Sequence, residues 1–219
     1  MIDLDTVLTT DLVALAKKRS QHFNVEGFVY GQGPVNPKFL LIGEAPGETE
    51  ALNGIPFSGR AGKELMRFFD LLEVDRKEVY ITSAFRSRPY RYKEKIDRKT
   101  KQVVLRKYNR PPTKQELIAH APLLDQEIEK VQAPYILTMG NIGLQRLLGP
   151  KAKVSAQHGQ LYKGPVLRLV SLKDNTYTWT EKDYAVFSTF HPAAIFYNRQ
   201  LLETIHEDLA EFKKLIHKI

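Results

Sequence analysis

The chain has 219 residues, no cysteine and a formal net charge of +8, which excludes disulfides, thiolate metal sites and cysteine nucleophiles. A hydrophobic share of 42% is enough to fill one core. No apolar run approaches the roughly 18 residues of a membrane span, and Met1-Ile2-Asp3-Leu4-Asp5 is too acidic to open a signal peptide. The expectation is one domain over residues 1–219, cytoplasmic, monomeric and without membrane contact.

Residues 3–19 carry Leu4, Val7, Leu8, Leu12, Val13, Leu15 and Ala16 at helical spacing, with Lys17, Lys18 and Arg19 at the end where the helix dipole favours cations. A Gly- and Pro-rich loop covers 20–37. Phe39-Leu40-Leu41-Ile42 is a short apolar run that reads as a buried strand over 38–43. A long loop follows, then a helix over 61–73 with Leu65, Phe68, Phe69, Leu71 and Leu72 on one face. Val79-Tyr80-Ile81-Thr82 is β-branched and aromatic, a second strand running to about Ala84. Thr113 with Glu116 makes a capping box for a helix reaching about Val131. Residues 134–139 are a third strand, followed by a short helix to Leu148. Residues 154–180 read as a hairpin-like insertion of short extended pieces. Residues 184–190 are a fourth strand and 199–217 a last helix. Strand and helix alternate, which predicts an α/β fold: a three-layer α/β/α sandwich with a central four-stranded, mainly parallel sheet.

The loop after the first strand stands out. It holds Gly43, Gly47, Gly54, Gly59 and Gly62, five of the thirteen glycines, and is far longer than the roughly 2–6 residues that a plain strand–helix connection needs. Glu44 is the first residue past the first strand, and His191 the first past the fourth. Parallel strands bring both to one sheet edge, where ligand sites form. A carboxylate and an imidazole there serve as base and acid, or stabilise developing charge. The plain alternative is that Glu44 caps a turn, His191 merely precedes Pro192, and Phe57 anchors the loop under the sheet. The other histidines show no metal-ligand spacing. No Gly-Lys-Ser/Thr follows the glycines, so a phosphate loop is excluded.

The charge is local. Between Arg86 and Arg110 eleven Lys or Arg stand against two acids, so the rest of the chain is close to neutral. Tyr90, Tyr92 and Tyr108 are interleaved. Such a segment fits a polyanionic partner, most simply nucleic acid, or else a solvated and partly disordered surface loop.

The run GEAPGETEALNGIPFSGRAGKEL resembles the first signature of the uracil-DNA glycosylase superfamily, closest to its family 4, and His191-Pro192-Ala193-Ala194-Ile195 resembles the second. The likeness covers roughly residues 25–210. It implies a DNA partner carrying a damaged base, which is flipped into a pocket and cut from its sugar. By resemblance, Glu44 would activate water and stabilise the cationic sugar, and His191 would donate to uracil O2. Backbone at Gly43 and Ala45 would bind the base, with Phe57 stacking on it. Ser58, Gly59 and Arg60 would lie along the phosphate path. Ala193, Ala194 and Ile195 would enter the duplex, and Arg86 and Arg88 would contact DNA.

The chain departs from that pattern in three ways. Family 4 holds an iron–sulfur cluster on four cysteines; here one position falls at Ser87, the N-terminal pair is lost around Arg19 to Asn24, and no cluster is expected. Ser83 stands where the family has an asparagine that reads the base, and a serine cannot offer a paired amide donor and acceptor. The basic segment 90–110 is an insertion. A related family traps the sugar covalently through a histidine in a similar insertion; the nearest counterpart here is Lys107-Tyr108-Asn109, and no trapping is expected. The leading expectation is a cluster-free glycosylase for uracil or a related deaminated base. The alternatives are a weak or inactive glycosylase fold that binds nucleic acid, and a hydrolase of free nucleosides.

Overall fold

A computed structural model describes residues 6–97 and 99–218. In chain order the elements are α1 (Thr10–Ser20), β1 (Val25–Glu26), β2 (Phe39–Gly43), α2 (Glu48–Asn53), α3 (Arg60–Leu72), β3 (Val79–Ser83), β4 (Arg88–Ile96), β5 (Val103–Asn109), α4 (Lys114–Lys130), β6 (Ile136–Met139), α5 (Asn141–Leu148), α6 (Val154–Gln157), β7 (Leu161–Leu169), β8 (Tyr177–Thr189) and α7 (Leu201–Ile216). Short 3₁₀ turns cover Arg76–Glu78 and Pro192–Phe196.

The main sheet has the order β3-β2-β6-β8-β7. The first four strands are mutually parallel, and β7 is antiparallel to β8. β2 is buried on both faces, as its unbroken apolar run requires. Phe39 and Leu41 point to one side, with Leu65, Phe68, Phe69 and Leu72 of α3 and Leu209 and Phe212 of α7. Leu40 and Ile42 point to the other, with Leu124 and Ile128 of α4 and Leu147 of α5. The two clusters make the outer layers of the sandwich. Truncating one such residue, Leu41→Ala for example, costs about 2–5 kcal/mol.

The sheet has five strands, one more than the alternation of elements predicts. Tyr177–Trp179 and Tyr184–Phe187 belong to one thirteen-residue strand, β8. β7 pairs along the length of β8, from Leu161↔Phe187 to Leu169↔Tyr177, while the inner end of β8 also joins β6 of the parallel sheet. The β7–β8 ladder has a register shift between Pro165 and Leu167. An irregularity of that kind bends a long ribbon away from the sheet. The first helix begins only at Thr10, with the extended Thr9 at the N-cap position making no side-chain capping bond and Asp11 in the first turn. Leu8 reaches the core from outside it, and Leu4 lies outside the described residues. The basic segment is a hairpin, β4 paired with β5 from Tyr90↔Asn109 to Ile96↔Val103. β1 pairs with the start of β4 in a small second sheet.

Candidate active site

Strand register puts four carboxyl ends on one edge. Gly43 pairs with Ser83, Ile42 with Thr138, and Met139 with Thr189. Glu44 and His191 leave this edge from β2 and β8, as expected, and line one cavity of about 640 Å³ with Ala45, Phe57 and Ser83. That volume suits a small ligand. A groove of about 760 Å³ elsewhere, between α4 and the β7–β8 hairpin, holds none of the candidate residues.

Glu44 is packed against the start of α5. Its Oε1 accepts the Ile142 N–H at 3.3 Å, and a Cβ on Gly140, which has φ +93°, would lie 2.3 Å from that oxygen. Burial holds the carboxyl above its ordinary pKa, opposed by the Ile142 and Asn141 amides. His191 sits opposite. Its Nδ1 accepts the Ala193 N–H at 3.1 Å, and burial lowers its pKa to about 4. The ring is therefore neutral near pH 7 and carries its proton on Nε2.

Phe57 is the third wall. Its ring stacks on His191 at 5.6 Å between centroids, inclined by 26°. Its backbone has φ +51°, a left-handed conformation that costs a non-glycine residue about 1–3 kcal/mol. Two glycines make room. A Cβ on Gly43 would lie 2.7 Å from the ring, and one on Gly62 would lie 1.8 Å from the Phe57 carbonyl oxygen. Both ends of the loop are held by Glu50, whose Oε2 accepts the Gly47 N–H at 3.2 Å and whose Oε1 accepts the Gly59 N–H at 2.9 Å.

Several candidates sit differently from expectation. Arg86 is 1% exposed and paired with the buried Glu127, which also accepts from Thr82 at 2.7 Å and Tyr80 at 3.2 Å. Its guanidinium also donates to the Ser83 carbonyl oxygen. It fixes the end of β3 and has no access to DNA. Arg88 is also buried, between Glu26 and Glu48, and donates to Asn109 Oδ1 at 2.6 Å. The charge run looked uniform in sequence; its first two arginines are covered by α4 and β1. Ser58 stays outside the cavity and donates to the Ile55 carbonyl at 2.8 Å. The Gly59 N–H is already used by Glu50. Arg60 does line the cavity, over the Phe196 ring at 3.8 Å. Ala193 lines the cavity too, whereas Ile195 packs against the core. Ser83 is at the wall, but its hydroxyl donates to the Phe85 carbonyl at 2.7 Å.

The cavity-lining residues that the sequence did not single out include Glu50, Asn109 and Tyr197. Asn109 reaches the cavity from the end of β5, its carbonyl oxygen turned by Arg88. Tyr197, 93% exposed, stands at the cavity rim just past the 3₁₀ turn. The first signature carried a signal for Glu50, an acid three residues past Gly47 at a helix start. Asn109 stood in the Lys107-Tyr108-Asn109 run noted only as a counterpart of a trapping segment, and nothing local in the sequence marked Tyr197.

A family model described as the Uracil DNA glycosylase superfamily matches residues 30–218. The chain belongs to that superfamily. It is similar to the type-4 uracil-DNA glycosylase of Saccharolobus solfataricus, 30% identical over 213 residues, covering 94% of this chain and 86% of the relative. It is likewise similar to the type-4 enzyme of Sulfurisphaera tokodaii, 30% identical over 190 residues, 85% of this chain and 74% of the relative. The type-4 enzyme of Thermotoga maritima is 28% identical over 199 residues, 90% of this chain and 87% of the relative.

The iron–sulfur cluster that family 4 implies does not fit the residues present. The chain offers no thiolate, and among the described residues no group of three or more His, Asp or Glu could hold a metal ion. Near the positions of the lost cysteines lies a packed polar knot. His120 Nδ1 accepts the Arg86 N–H at 3.0 Å, and its Nε2 lies 2.7 Å from Ser20 Oγ, which itself donates to the Ala16 carbonyl. Phe85 lies against the imidazole at 4.2 Å. Burial, with the Arg86 charge, lowers the His120 pKa to about 3. The ring is thus neutral, with Nε2–H donating to Ser20.

Proposed function

We infer that this chain is a DNA glycosylase that hydrolyses the N-glycosidic bond of uracil or a related deaminated base in DNA. One observation carries the reading: Glu44 and a neutral His191 share one cavity with the stacking ring of Phe57. The base is flipped out of the stack to enter, at a cost of a few kcal/mol. Phe57 covers its face. His191 Nε2–H donates to the base carbonyl oxygen on which negative charge builds as the bond breaks. Glu44, as a carboxylate, stabilises the cationic sugar and orients water. The hydroxide of that water joins the sugar carbon, and its proton goes to the departing base. Asn109 is suited to contact the base edge, and Arg60 the adjacent phosphate. Tyr197, rather than the inward Ile195, is suited to fill the gap that the base leaves. The absence of cysteine fits a reducing, cytoplasmic setting, and the reading needs one copy of the chain only.

The test is incubation with uracil-, hypoxanthine- and xanthine-containing single- and double-stranded oligonucleotides, followed by alkali. Cleavage well above a Glu44→Ala control is expected. No cleavage of any of them above that control defeats the enzymatic reading.

A second reading, a glycosylase fold that binds DNA without cutting, is favoured by Ser83, whose hydroxyl proton is spent on Phe85. It predicts DNA affinity unchanged by Glu44→Ala and no turnover. Ser83→Asn separates the two: a large gain in uracil excision means the pocket is competent and only its reader is altered.

A further inference from the structure

The β4–β5 hairpin has two chemically different faces. Directly paired residues share a face, and faces alternate along each strand. Arg91, Lys93, Lys95 and Arg106 therefore lie on one face with Tyr108 and Val104. Neither strand places an acid there. Among the described residues, Arg91, Lys93 and Lys95 make no ion pair, and Arg106 reaches only Asp97 in the turn, at 4.0 Å. The opposite face begins at Asn109 in the cavity wall and Tyr90 opposite it, continues through Tyr92 and the single acid Glu94, which pairs with Leu105, and ends in Ile96, Val103 and that Leu105. The last three are 62%, 62% and 67% exposed. Its one lysine, Lys107, is taken up by Glu26 and the Tyr90 ring.

The seven paired positions extend about 24 Å from the cavity rim, at about 3.4 Å per residue, which is about seven base pairs of duplex at 3.4 Å each. A hairpin with three exposed aliphatic side chains at the tip of one face and an acid-free row of cations on the other is poorly served by water alone. It matches a groove of duplex DNA, with bases and sugars on the floor and phosphates along both walls. The major groove admits a two-stranded ribbon. Because the apolar face continues from the cavity wall, a duplex whose base occupies the cavity runs past it.

We propose that this hairpin is a DNA arm that lies in the groove beside the excised base, its aliphatic face on the floor and Arg91, Lys93, Lys95 and Arg106 on the phosphates. The proposal rests on the glycosylase reading for the direction of approach, yet it is tested by binding alone. The probe is a uracil-free 25-base-pair duplex, followed by fluorescence anisotropy from low to moderate salt. Neutralising the cationic face (Arg91→Gln, Lys93→Gln, Lys95→Gln, Arg106→Gln) lowers affinity at least tenfold and flattens the salt slope by about 3–4, since each phosphate contact contributes about 0.9. The control substitutes four exposed lysines elsewhere, Lys130, Lys151, Lys173 and Lys182, by Gln and changes the slope by less than one. The apolar face is tested with Ile96→Thr, Val103→Thr and Leu105→Thr, which keep β-propensity; affinity falls severalfold with the slope unchanged. Both losses disappear on single strands and on duplexes too short for the arm. Thermal melts verify that each variant is folded.

Equal effects of the cationic and control sets overturn the proposal. So does an inert apolar set, a loss that persists on single strands, or tighter binding to vesicles of phosphatidylserine than to duplex. If the protein removes no base but these binding results hold, the arm stands and the glycosylase reading falls.

Discussion

Phe57 and His191 come from opposite ends of the chain, and their rings stack at 5.6 Å on one side of a shared cavity. The contact depends on Gly43, which leaves room for the Phe57 ring, and on Gly62, which lets the Phe57 carbonyl rest on α3. Gly43 and Gly62 therefore position a side chain.

Gly43→Ala tests that relationship. The new methyl would lie 2.7 Å from the Phe57 ring and must displace it. The expected outcome is a loss of base excision of at least 100-fold, with a stability cost of about 1–3 kcal/mol, typical of overpacking. Excision kinetics and chemical denaturation measure the two separately. Full activity would mean that the ring is not part of the pocket.

Glu44→Gln is expected to abolish excision and raise stability at pH 7. Burial holds the Glu44 pKa above the unfolded value of about 4.5, so the native state binds this proton more tightly than the unfolded chain does. The carboxylate therefore costs stability at pH values above its native pKa, and the cost fades as pH falls toward 4.5 and below. An amide keeps the contact to Ile142 without that cost. Melting temperatures at pH 7 and pH 4 check it: the gain is present at the first and small at the second.

The pH dependence of excision has a defined shape. The proposed mechanism needs Glu44 ionised and His191 neutral. His191 loses its proton at about 4, and Glu44 ionises above its ordinary value, so both conditions are met as pH rises. kcat/KM therefore climbs on the acid side and holds level through pH 8. His191→Asn lowers the plateau but leaves the acid limb in place, because Glu44 sets it. A limb that moves with His191→Asn would reverse the assignment.

Tyr197→Ala separates the rim from the pocket. Tyr197 is almost fully exposed, so its removal leaves stability within about 0.5 kcal/mol. Excision from duplex DNA falls about tenfold or more, while excision from single strands, which leave no gap in a stack, changes little. Equal losses on both substrates would give Tyr197 a contact with the base instead.

Asn109→Ala is expected to slow excision on both substrates alike. Its amide is oriented by Arg88, so Arg88→Leu shares the kinetic defect. That second variant also destabilises the fold, because it leaves Glu26 short of a partner. A kinetic defect from Arg88→Leu with none from Asn109→Ala would assign the effect to misfolding of the hairpin base.

The strands, the main helices and the two ends of the site were legible in the sequence because each has a local cause. The apolar run Phe39–Ile42 needs burial on both faces, the Thr113–Glu116 box starts a helix, and residues just past parallel strands share one edge. The tertiary structure alone decided which charges of the basic run are exposed. Arg86 and Arg88 face Glu127 and Glu26, which lie 41 and 62 positions away, and no local pattern records what will cover an arginine. It decided that Ser83 spends its hydroxyl on a neighbouring carbonyl, that Asn109 rather than the hairpin's cations enters the cavity wall, and that β7 pairs along the long β8 as a fifth member of the sheet. Periodicity specifies how a segment folds and which side it buries. Burial of a particular polar atom, and the partner it finds, are set by segments distant in sequence that only the packed fold brings together.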